Sequence, residues 1–346
     1  MTLIQPIFAF VLTFCFLLIL KPIANRIDLI DIPGGRKQHH TPTPLVGGIG
    51  IYLGLLGASL FSGPLLAQYM PLLTLTGIIL IIGVFDDLHE LRVSLRFGIH
   101  LLVALLMVLW GNNVMLSLGN LFESGPIALG LISIPLTLFA TVGVINAVNM
   151  TDGVDGLCGG MMLVATICLG TVAYVSHQGA MTSFLVLLGV ALLAFLALNF
   201  RRPWGKCAAV YLGDAGSTVL GFIMAWLIID LTQGPDASIA PIYALWFLAV
   251  PIIDTVSLLI LRPLSGISPF KAGTDHLHHR LMRAGLSRGQ VVTGMFCTSA
   301  LFGAAGLAAW RNGVEQSVMF WSFIGLFLAY LLSNWLYARS HSATAV

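Results

Sequence analysis

Long apolar stretches, separated by short polar segments, dominate the pattern of this 346-residue chain. A helix needs about 20 apolar residues to cross a bilayer, and eleven stretches reach or approach that length. They cover residues 3–20, 45–66, 70–85, 94–111, 127–148, 157–176, 179–199, 215–232, 239–261, 290–310 and 317–338, of which the third is the shortest. The pattern therefore predicts an all-α polytopic integral membrane protein, with about eleven transmembrane helices in a single domain over residues 1–346.

Composition agrees with a chain that dissolves in lipid. Hydrophobic residues make up 58% of the chain and charged residues 9%, whereas a soluble domain is roughly 45–50% apolar and about 25% charged. The net charge is only +2, so we expect no nucleic-acid partner. No basic segment precedes the first apolar stretch, which we therefore interpret as a retained first helix and not as a cleaved signal peptide.

Lysine and arginine are distributed unequally between the two sets of loops. One set contains fifteen of the sixteen basic residues, and Arg311 is the exception. Because basic loops tend to stay in the cytoplasm, we predict a bacterial inner-membrane protein with its N-terminus outside and its C-terminus in the cytoplasm. The loops predicted to face the cytoplasm comprise about residues 21–44, 86–93, 149–156, 200–214 and 262–289.

Two acidic motifs lie in these cytoplasmic loops. Asp86 and Asp87 end an apolar stretch as adjacent carboxylates, which repel each other unless a cation or a raised pKa relieves them. In NAVNMTDGVDGL, Asn149, Asp152 and Asp155 are spaced by three and would share one helix face. Such polar groups beside an apolar stretch indicate a ligand. The simpler alternatives are a solvated helix end and a polar cap with glycine turns.

Two further segments suit phosphate. In YLGDAGS, Asp214 lies between glycines at the start of a predicted helix, and a helix N-terminus favours a phosphate or a metal–phosphate complex. Lys37 lies in RKQHHTPTP, near the glycine pair Gly47-Gly48, and a cation beside glycine-rich backbone also suits phosphate. The alternatives are an N-cap aspartate and a basic membrane anchor.

The last predicted cytoplasmic loop contains DHLHHRL, in which His276, His278 and His279 precede Arg280. Clustered imidazoles suit zinc, whereas Mg²⁺ prefers oxygen ligands. Because an arginine adjoins the histidines and the carboxylates lie elsewhere, we favour anion recognition over a zinc site, and an ordinary polar loop remains the alternative. Asp254, inside the ninth apolar stretch, is a further candidate because intramembrane acids are often functional.

Taken in order, these segments resemble the polyprenyl-phosphate N-acetylhexosamine-1-phosphate transferases. The likeness runs from about residue 21 to about residue 290, through Asp31 with the following RKQH and PTPLVGG, the Asp86-Asp87 pair, NAVNMTDGVDGL, GDAGS, PIIDT and HLHH. It implies an α-helical membrane bundle with a cytoplasmic active site. The implied enzyme moves a sugar-1-phosphate from a UDP-sugar to a membrane-held polyprenyl phosphate and releases UMP.

The resemblance also implies roles for the residues at matching positions. Asp86, Asp87 and Asp214 would be catalytic, and Asp214 and Asp87 would bind Mg²⁺ or Mn²⁺. Carboxylates that face a diphosphate would repel it, so a divalent cation is expected between them. The substrate-binding residues would be Lys37, Asn149, Asp152, Asp155, His276, His278, His279 and Arg280. The segment between Asn199 and Asp214 is longer than in the peptidoglycan branch, so no contact is carried over there.

Finer likeness favours one branch of the family. PLVGG, NMTDGVDGL, TQG, SPF and HLHHRLMRAG are similar to the enterobacterial branch, which implies UDP-N-acetylglucosamine and undecaprenyl phosphate as substrates. The product would be undecaprenyl-diphosphate-N-acetylglucosamine, the first lipid-linked intermediate of a cell-surface polysaccharide such as O-antigen.

Three alternatives remain open. The enzyme could transfer phospho-N-acetylmuramoyl-pentapeptide, although that branch typically has consecutive histidines where this chain has HLHH. It could transfer another N-acetylhexosamine-1-phosphate. A flippase or transporter of lipid-linked sugars is a different class, and the one-sided acidic loops argue against it. The sequence leaves a homo-oligomer open.

Overall fold

The computed structural model describes residues 4–32, 42–200, 208–268 and 273–342, with side chains up to residue 337. The thirteen α-helices in these ranges are α1 (Ile4–Arg26), α2 (Gly47–Leu60), α3 (Gly63–His89), α4 (Val93–Leu109), α5 (Ser133–Asn149), α6 (Leu157–Val175), α7 (Gly179–Asn199), α8 (Gly213–Thr232), α9 (Pro241–Leu245), α10 (Ala249–Leu264), α11 (Leu277–Arg283), α12 (Arg288–Arg311) and α13 (Gln316–Ser342). Short 3₁₀ turns, Gly130–Ile132 and Trp246–Leu248, lead into α5 and α10. Two-residue strands, β1 (Ile30–Asp31) and β2 (Thr43–Pro44), form an antiparallel pair.

Every apolar stretch predicted from the sequence coincides with a helix. Among the described residues, nine helical segments are long and apolar enough to span a membrane, and α2 and α4 are shorter apolar helices. Backbone groups in lipid must be hydrogen-bonded internally, and helices satisfy this requirement. The all-α polytopic class is therefore confirmed, whereas the number of crossings and the orientation of the termini stay predictions.

One predicted boundary was wrong. The third stretch was expected to be the shortest, but α3 has 27 residues and α2 has only 14. The chain leaves α2 at Leu60 and starts α3 at Gly63, with Pro64 in the first turn of the new helix. Proline is favoured there because its missing N–H would have no helical partner in any case. The apolar pattern alone placed the break between these two helices after residue 66, whereas in the structure it follows Leu60.

Helix α8 lies at the centre of the bundle, with 89% of its most apolar window buried. Small residues let its neighbours approach closely, as is usual for membrane helices. A Cβ added at Gly83 of α3 would lie 2.3 Å from the Cα of Ala215, and one added at Gly48 of α2 would lie 2.3 Å from the Cα of Gly216. These contacts bring the end of α3 and the start of α2 beside the first turn of α8.

The predicted orientation can be checked by cysteine labelling in a variant without native cysteines. Ser268 and Asn312 are both exposed but lie in loops predicted to face opposite sides. We expect an impermeant maleimide to label Asn312→Cys in intact cells and to spare Ser268→Cys until the membrane is permeabilised. Labelling of Ser268→Cys in sealed cells would contradict the orientation.

Candidate active site

The first turn of α8 is held by a carboxylate from another helix. The backbone amides of Asp214 and Ala215 donate to Asp87 Oδ1 and Oδ2 at 2.9 and 3.2 Å. Gly213 has φ +77°, and a Cβ there would lie 2.6 Å from Asp87 Oδ2, so glycine is required. In the structure these two amides donate to Asp87, and the phosphate or metal–phosphate complex expected at this helix N-terminus stays a prediction.

Asp86 points to a different partner. Its Oδ2 accepts from Arg96 Nη1 at 2.5 Å, and its Oδ1 accepts from the amide of Leu91 at 2.8 Å. The same Arg96 nitrogen lies 3.4 Å from Asp214 Oδ2. One guanidinium therefore offsets the charge of two carboxylates. The sequence interpretation used Arg96 only as a topological charge, and no local pattern distinguished it from other basic residues.

Asn149 orients Asp214 from the end of α5. Its Nδ2 lies 3.0 Å from Asp214 Oδ1 and 2.9 Å from Ser217 Oγ. The expected shared helix face of Asn149, Asp152 and Asp155 was wrong, because α5 ends at Asn149 and the two aspartates follow in turns. Glycines interrupt the segment after each aspartate and favour turns over a continued helix.

Asn199 fixes the loop that carries these two aspartates. Its Oδ1 accepts from the amide of Gly156 at 2.6 Å, and its Nδ2 donates to the carbonyl of Val210 at 2.8 Å. Both side-chain groups of this buried asparagine therefore join the end of α7 to neighbouring loops. The sequence interpretation did not assign Asn199 a role, since its partners lie 43 and 11 residues away and no motif connects them with it.

The glycine pair of PTPLVGG is a packing motif. The amides of Gly47 and Gly48 donate to the carbonyls of Tyr211 and Leu212 at 2.8 and 3.1 Å, and the amide of Tyr211 donates to Pro44 at 2.8 Å. Both amides are therefore used for packing, and the predicted phosphate site around Lys37 stays a prediction, since Gly34 and Gly35 of the same prediction lie outside the described residues. Lys37, the cation of the same prediction, lies outside the described residues.

The three histidines occupy different environments. His279 lines the cavity described below, whereas His276 Nδ1 lies 2.9 Å from Asp254 Oδ2. His278 is buried, and a Cβ added at Gly153 would lie 2.1 Å from its Nε2. Burial and the neighbouring imidazoles lower the pKa of His278 to about 3, so its ring is neutral at physiological pH.

Arg280 also lies apart from the cavity. Its guanidinium carbon is 4.5 Å from the centre of the Tyr337 ring, a distance at which a cation is attracted to the aromatic face. Neither Arg280, His276 nor His278 is among the cavity-lining residues. Their predicted roles as substrate ligands stay predictions, and this geometry favours support of the loop that carries them.

A cavity of about 710 Å³ opens at the end of the bundle where α3 and α5 end and α8 begins. Its walls include all five aspartates predicted from the sequence, together with one of the histidines and two arginines: Asp86, Asp87, Asp152, Asp155, Asp214, His279, Arg283 and Arg288. Asp31, from the first motif of the resemblance, also lines it. The folded chain thus brings four separate acidic segments to one site.

Comparison with known proteins identifies the family. Residues 69–232 match glycosyl transferase family 4. The chain is 35% identical to the undecaprenyl-phosphate alpha-N-acetylglucosaminyl 1-phosphate transferase of Escherichia coli O157:H7 over 326 residues, which cover 93% of this chain and 88% of that protein. It is 36% identical to the protein of the same name from Haemophilus influenzae, over 92% of this chain and 90% of that one. The chain belongs to glycosyl transferase family 4. The family predicted from the motifs is confirmed.

The electrostatics of the cavity are those of crowded carboxylates. Burial, and then the charges of Asp214 and Asp87, raise the pKa of Asp152 well above its ordinary value. A proton or a cation must therefore offset the negative charge at this wall. A member of glycosyl transferase family 4 that brings phosphates to this cavity needs the same compensation, because phosphate and carboxylate repel each other.

The donor set fits a hard divalent cation that the substrate helps to bind. Within the described ranges, no three His, Cys, Asp or Glu side chains lie close enough to form a complete metal site. Magnesium is commonly held by one or two carboxylates together with substrate phosphates. Asp214 and Asp87, which are joined through the first turn of α8, are suitable carboxylates for this purpose.

The binding of Mg²⁺ should be visible as a pH-dependent gain in thermal stability. We expect Mg²⁺ at ten times its Kd to stabilise the protein by about 1.4 kcal/mol, more than NaCl of equal ionic strength. The gain should shrink as the pH is lowered, while an ordinary aspartate still stays ionised, because the raised pKa of Asp152 lets a proton compete with the cation. Thermal unfolding in detergent measures both effects.

Two variants serve as controls for this measurement. Asp152→Asn should weaken the pH dependence of the Mg²⁺ effect, whereas Asp236→Asn, in the loop after the opposite end of α8, should leave it unchanged. A Mg²⁺ effect that does not change with pH in the wild type would contradict the role assigned to Asp152.

Proposed function

We propose that this chain transfers N-acetylglucosamine-1-phosphate from UDP-N-acetylglucosamine to undecaprenyl phosphate. The products are undecaprenyl-diphosphate-N-acetylglucosamine and UMP, and the reaction begins the assembly of a lipid-linked cell-surface polysaccharide such as O-antigen. The observation that carries the proposal is the cavity lined by six aspartates, which come from the ends of membrane helices and from the adjoining loops. Relatives that cover more than nine tenths of this chain have names that contain this activity.

The lipid phosphate is itself a competent nucleophile. A phosphate monoester has a second pKa near about 6, so it is mostly dianionic at neutral pH and needs no strong general base. We propose direct attack on the β-phosphorus of the UDP-sugar, which forms the new diphosphate and expels UMP. Such a transfer depends mainly on positioning and on charge neutralisation.

Different residues of the site position the substrates and neutralise their charge. Asp214 and Asp87 would hold the divalent cation, which would supply positive charge beside the diphosphate when bound. Asn149 donates to one oxygen of Asp214 and so fixes the direction of that carboxylate. Asp86 and the Arg96 guanidinium bound to it orient the lipid phosphate, and Asp86 accepts any residual proton.

The nucleotide sugar occupies the opposite wall of the cavity. Asp152 and Asp155 face this part from the loop after α5, and His279 and Arg283 face it from α11. Arg283 and the nearby Arg288 bring positive charge to a cavity that is otherwise acidic, as recognition of a nucleotide diphosphate requires. Lys37, from the segment before β2, adds a further cation in this proposal.

The cavity faces the cytoplasm in this proposal, in a bacterial inner membrane. Nucleotide sugars are cytosolic, and a lipid phosphate has its charged group at the membrane interface. A site at the cytoplasmic ends of helices is where the two can meet. The concentration of lysine and arginine in the corresponding loops supports this orientation.

The decisive experiment uses purified protein, Mg²⁺, undecaprenyl phosphate and a panel of UDP-sugars. We expect UMP release and a lipid product of the mass of undecaprenyl-diphosphate-N-acetylglucosamine, with little product from the N-acetylmuramoyl-pentapeptide nucleotide. Omission of the lipid phosphate is the control, because hydrolysis of the nucleotide would persist without it. Preference for the pentapeptide nucleotide would overturn the sugar assignment, and transport of a lipid-linked sugar without UMP release would overturn the enzyme assignment.

Asp214→Asn tests the site with little change of shape. We expect normal membrane insertion and folding, but a loss of metal-dependent turnover of at least about 10²-fold, the scale associated with a major electrostatic group. The matched control is Asp230→Asn, at the opposite end of α8, which should keep nearly full activity. Near-normal, Mg²⁺-dependent turnover in Asp214→Asn would show that other residues hold the cation.

A further inference from the structure

Asp254 is a buried acid to which the proposed reaction assigns no role. It lies on α10 with 4% of its surface exposed and accepts three hydrogen bonds. The backbone amide of Leu277 and the hydroxyl of Tyr330 meet its Oδ1 at 3.1 and 2.6 Å, and His276 Nδ1 lies 2.9 Å from its Oδ2. Three chain segments therefore meet on one carboxylate.

This carboxylate fixes both the start of α11 and the state of a histidine ring. An ionised carboxylate only accepts hydrogen bonds, so beside an ionised Asp254 the Nδ1 of His276 is the donor of the bond that joins them. Leu277 is the first residue of α11, and His276 directly precedes it. Asp254 thereby holds the entry to α11 by a backbone group and a side chain at once.

Further bonds hold the same short helix. Arg262 of α10 binds Asp275 with two nitrogens, at 2.9 and 2.7 Å. On the other side, the Arg280 guanidinium lies over the ring of Tyr337. Helix α11 carries His279 and Arg283, and both line the cavity. The direction of these two side chains consequently depends on bonds made outside the cavity.

The final helix provides two of these bonds. Most of α13 is exposed, and only 17% of its most apolar window is buried. Tyr330, Asn334 and Tyr337 are spaced by four and three residues, which places them on one face of the helix. This face meets α10, where Tyr330 binds Asp254 and Asn334 binds Ser257 at 2.9 Å. It also meets α11, where the Arg280 guanidinium lies over the Tyr337 ring.

We propose that Asp254 and Tyr330 are positioning residues, through which α13 sets the orientation of α11 and thereby the affinity of the cavity for the nucleotide sugar. The identity of the substrate in this inference rests on the proposed function. The contacts that hold α11 do not depend on it. Neither residue touches the cavity, so their effect is indirect. It acts on the part of the cavity wall formed by His279 and Arg283.

Tyr330→Phe tests this with the smallest change, because it removes one hydroxyl and keeps the ring. Loss of a hydrogen bond to a charged group corresponds to about tenfold or more in an equilibrium constant. We expect the KM for UDP-N-acetylglucosamine to rise by about that factor, while kcat and the KM for undecaprenyl phosphate change less than about twofold. Hydrogen exchange of the backbone amides of residues 277–283 should become faster.

Two control variants distinguish a positioning effect on α11 from a general loss of stability. Tyr243→Phe also removes a buried hydroxyl bond, to the carbonyl of Val314, but far from α11, and should leave the KM and the exchange of α11 unchanged. Ser257→Ala weakens the contact between α10 and α13 one turn away from Asp254. It should lower the melting temperature without raising the KM for the nucleotide sugar.

Asp254→Asn tests the carboxylate itself. An amide can accept from Leu277 and Tyr330 with its oxygen, but then presents N–H groups to His276 Nδ1, which can no longer donate. We expect a larger rise in the KM than for Tyr330→Phe, with Asp254→Glu recovering part of the loss. A KM that rises equally in Ser257→Ala, or α11 exchange that stays at the wild-type rate in Tyr330→Phe and Asp254→Asn, would overturn the inference.

Failure of the proposed function would look different. If the wild-type protein formed no product from UDP-N-acetylglucosamine, the substrate assignment would fail. The exchange of α11 in the same variants would still decide whether Asp254 and Tyr330 hold this helix.

Discussion

The bond between Asp87 and the first turn of α8 is the interaction on which the site depends. A helix begins with amides that lack helical partners, and a carboxylate satisfies them well because it also faces the positive end of the helix dipole. Here that carboxylate comes from α3, so one interaction both caps α8 and joins two buried helices. The contact requires Gly213 at the turn and Gly83 at the helix crossing, since added side-chain atoms would collide. Asp214 is thereby held beside the end of α3, next to the carboxylates with which it shares the cavity.

Bringing aspartates together in a partly buried cavity is unfavourable, and the surrounding residues only partly compensate for it. Arg96 lies between Asp86 and Asp214, and Asn149 donates a hydrogen bond to Asp214. Burial, and then the charges of Asp214 and Asp87, raise the pKa of the Asp152 carboxyl. A cavity in this state attracts a divalent cation, and the cation in turn makes the binding of phosphates favourable. The negative charge that the protein leaves uncompensated in the cavity is therefore compatible with the binding of phosphates through a cation.

The two sides of the cavity are built in different ways. The aspartate side is formed at the ends of long helices whose backbones nearly touch, which makes it rigid. The other side belongs to α11, a helix of seven residues that is too short to be stable alone and is held by Arg262, Asp254 and the last helix. The HLHH motif is accordingly divided between support and cavity, with His276 on Asp254, His278 against Gly153 and His279 at the cavity wall. The cavity wall formed by α11 therefore depends on contacts that the aspartates at the ends of the long helices do not share.

The sequence by itself determined the helical membrane class, the positions of the apolar helices, the acidic segments of the site and the family. These properties are local, because apolar length, charge distribution and short motifs can be read without knowing which segments touch. Only the tertiary structure decided how the motifs are used. Asp87 and Asp214 are 127 residues apart, and nothing near either one shows that the first caps the helix of the second. The amides of the glycine pair in PTPLVGG are bonded to backbone carbonyls. Arg96 and Asn199 make hydrogen bonds that hold the site, although neither residue lies in a recognisable motif. Hydrogen-bond partners are fixed by distances between remote segments, and these distances exist only after the helices have packed.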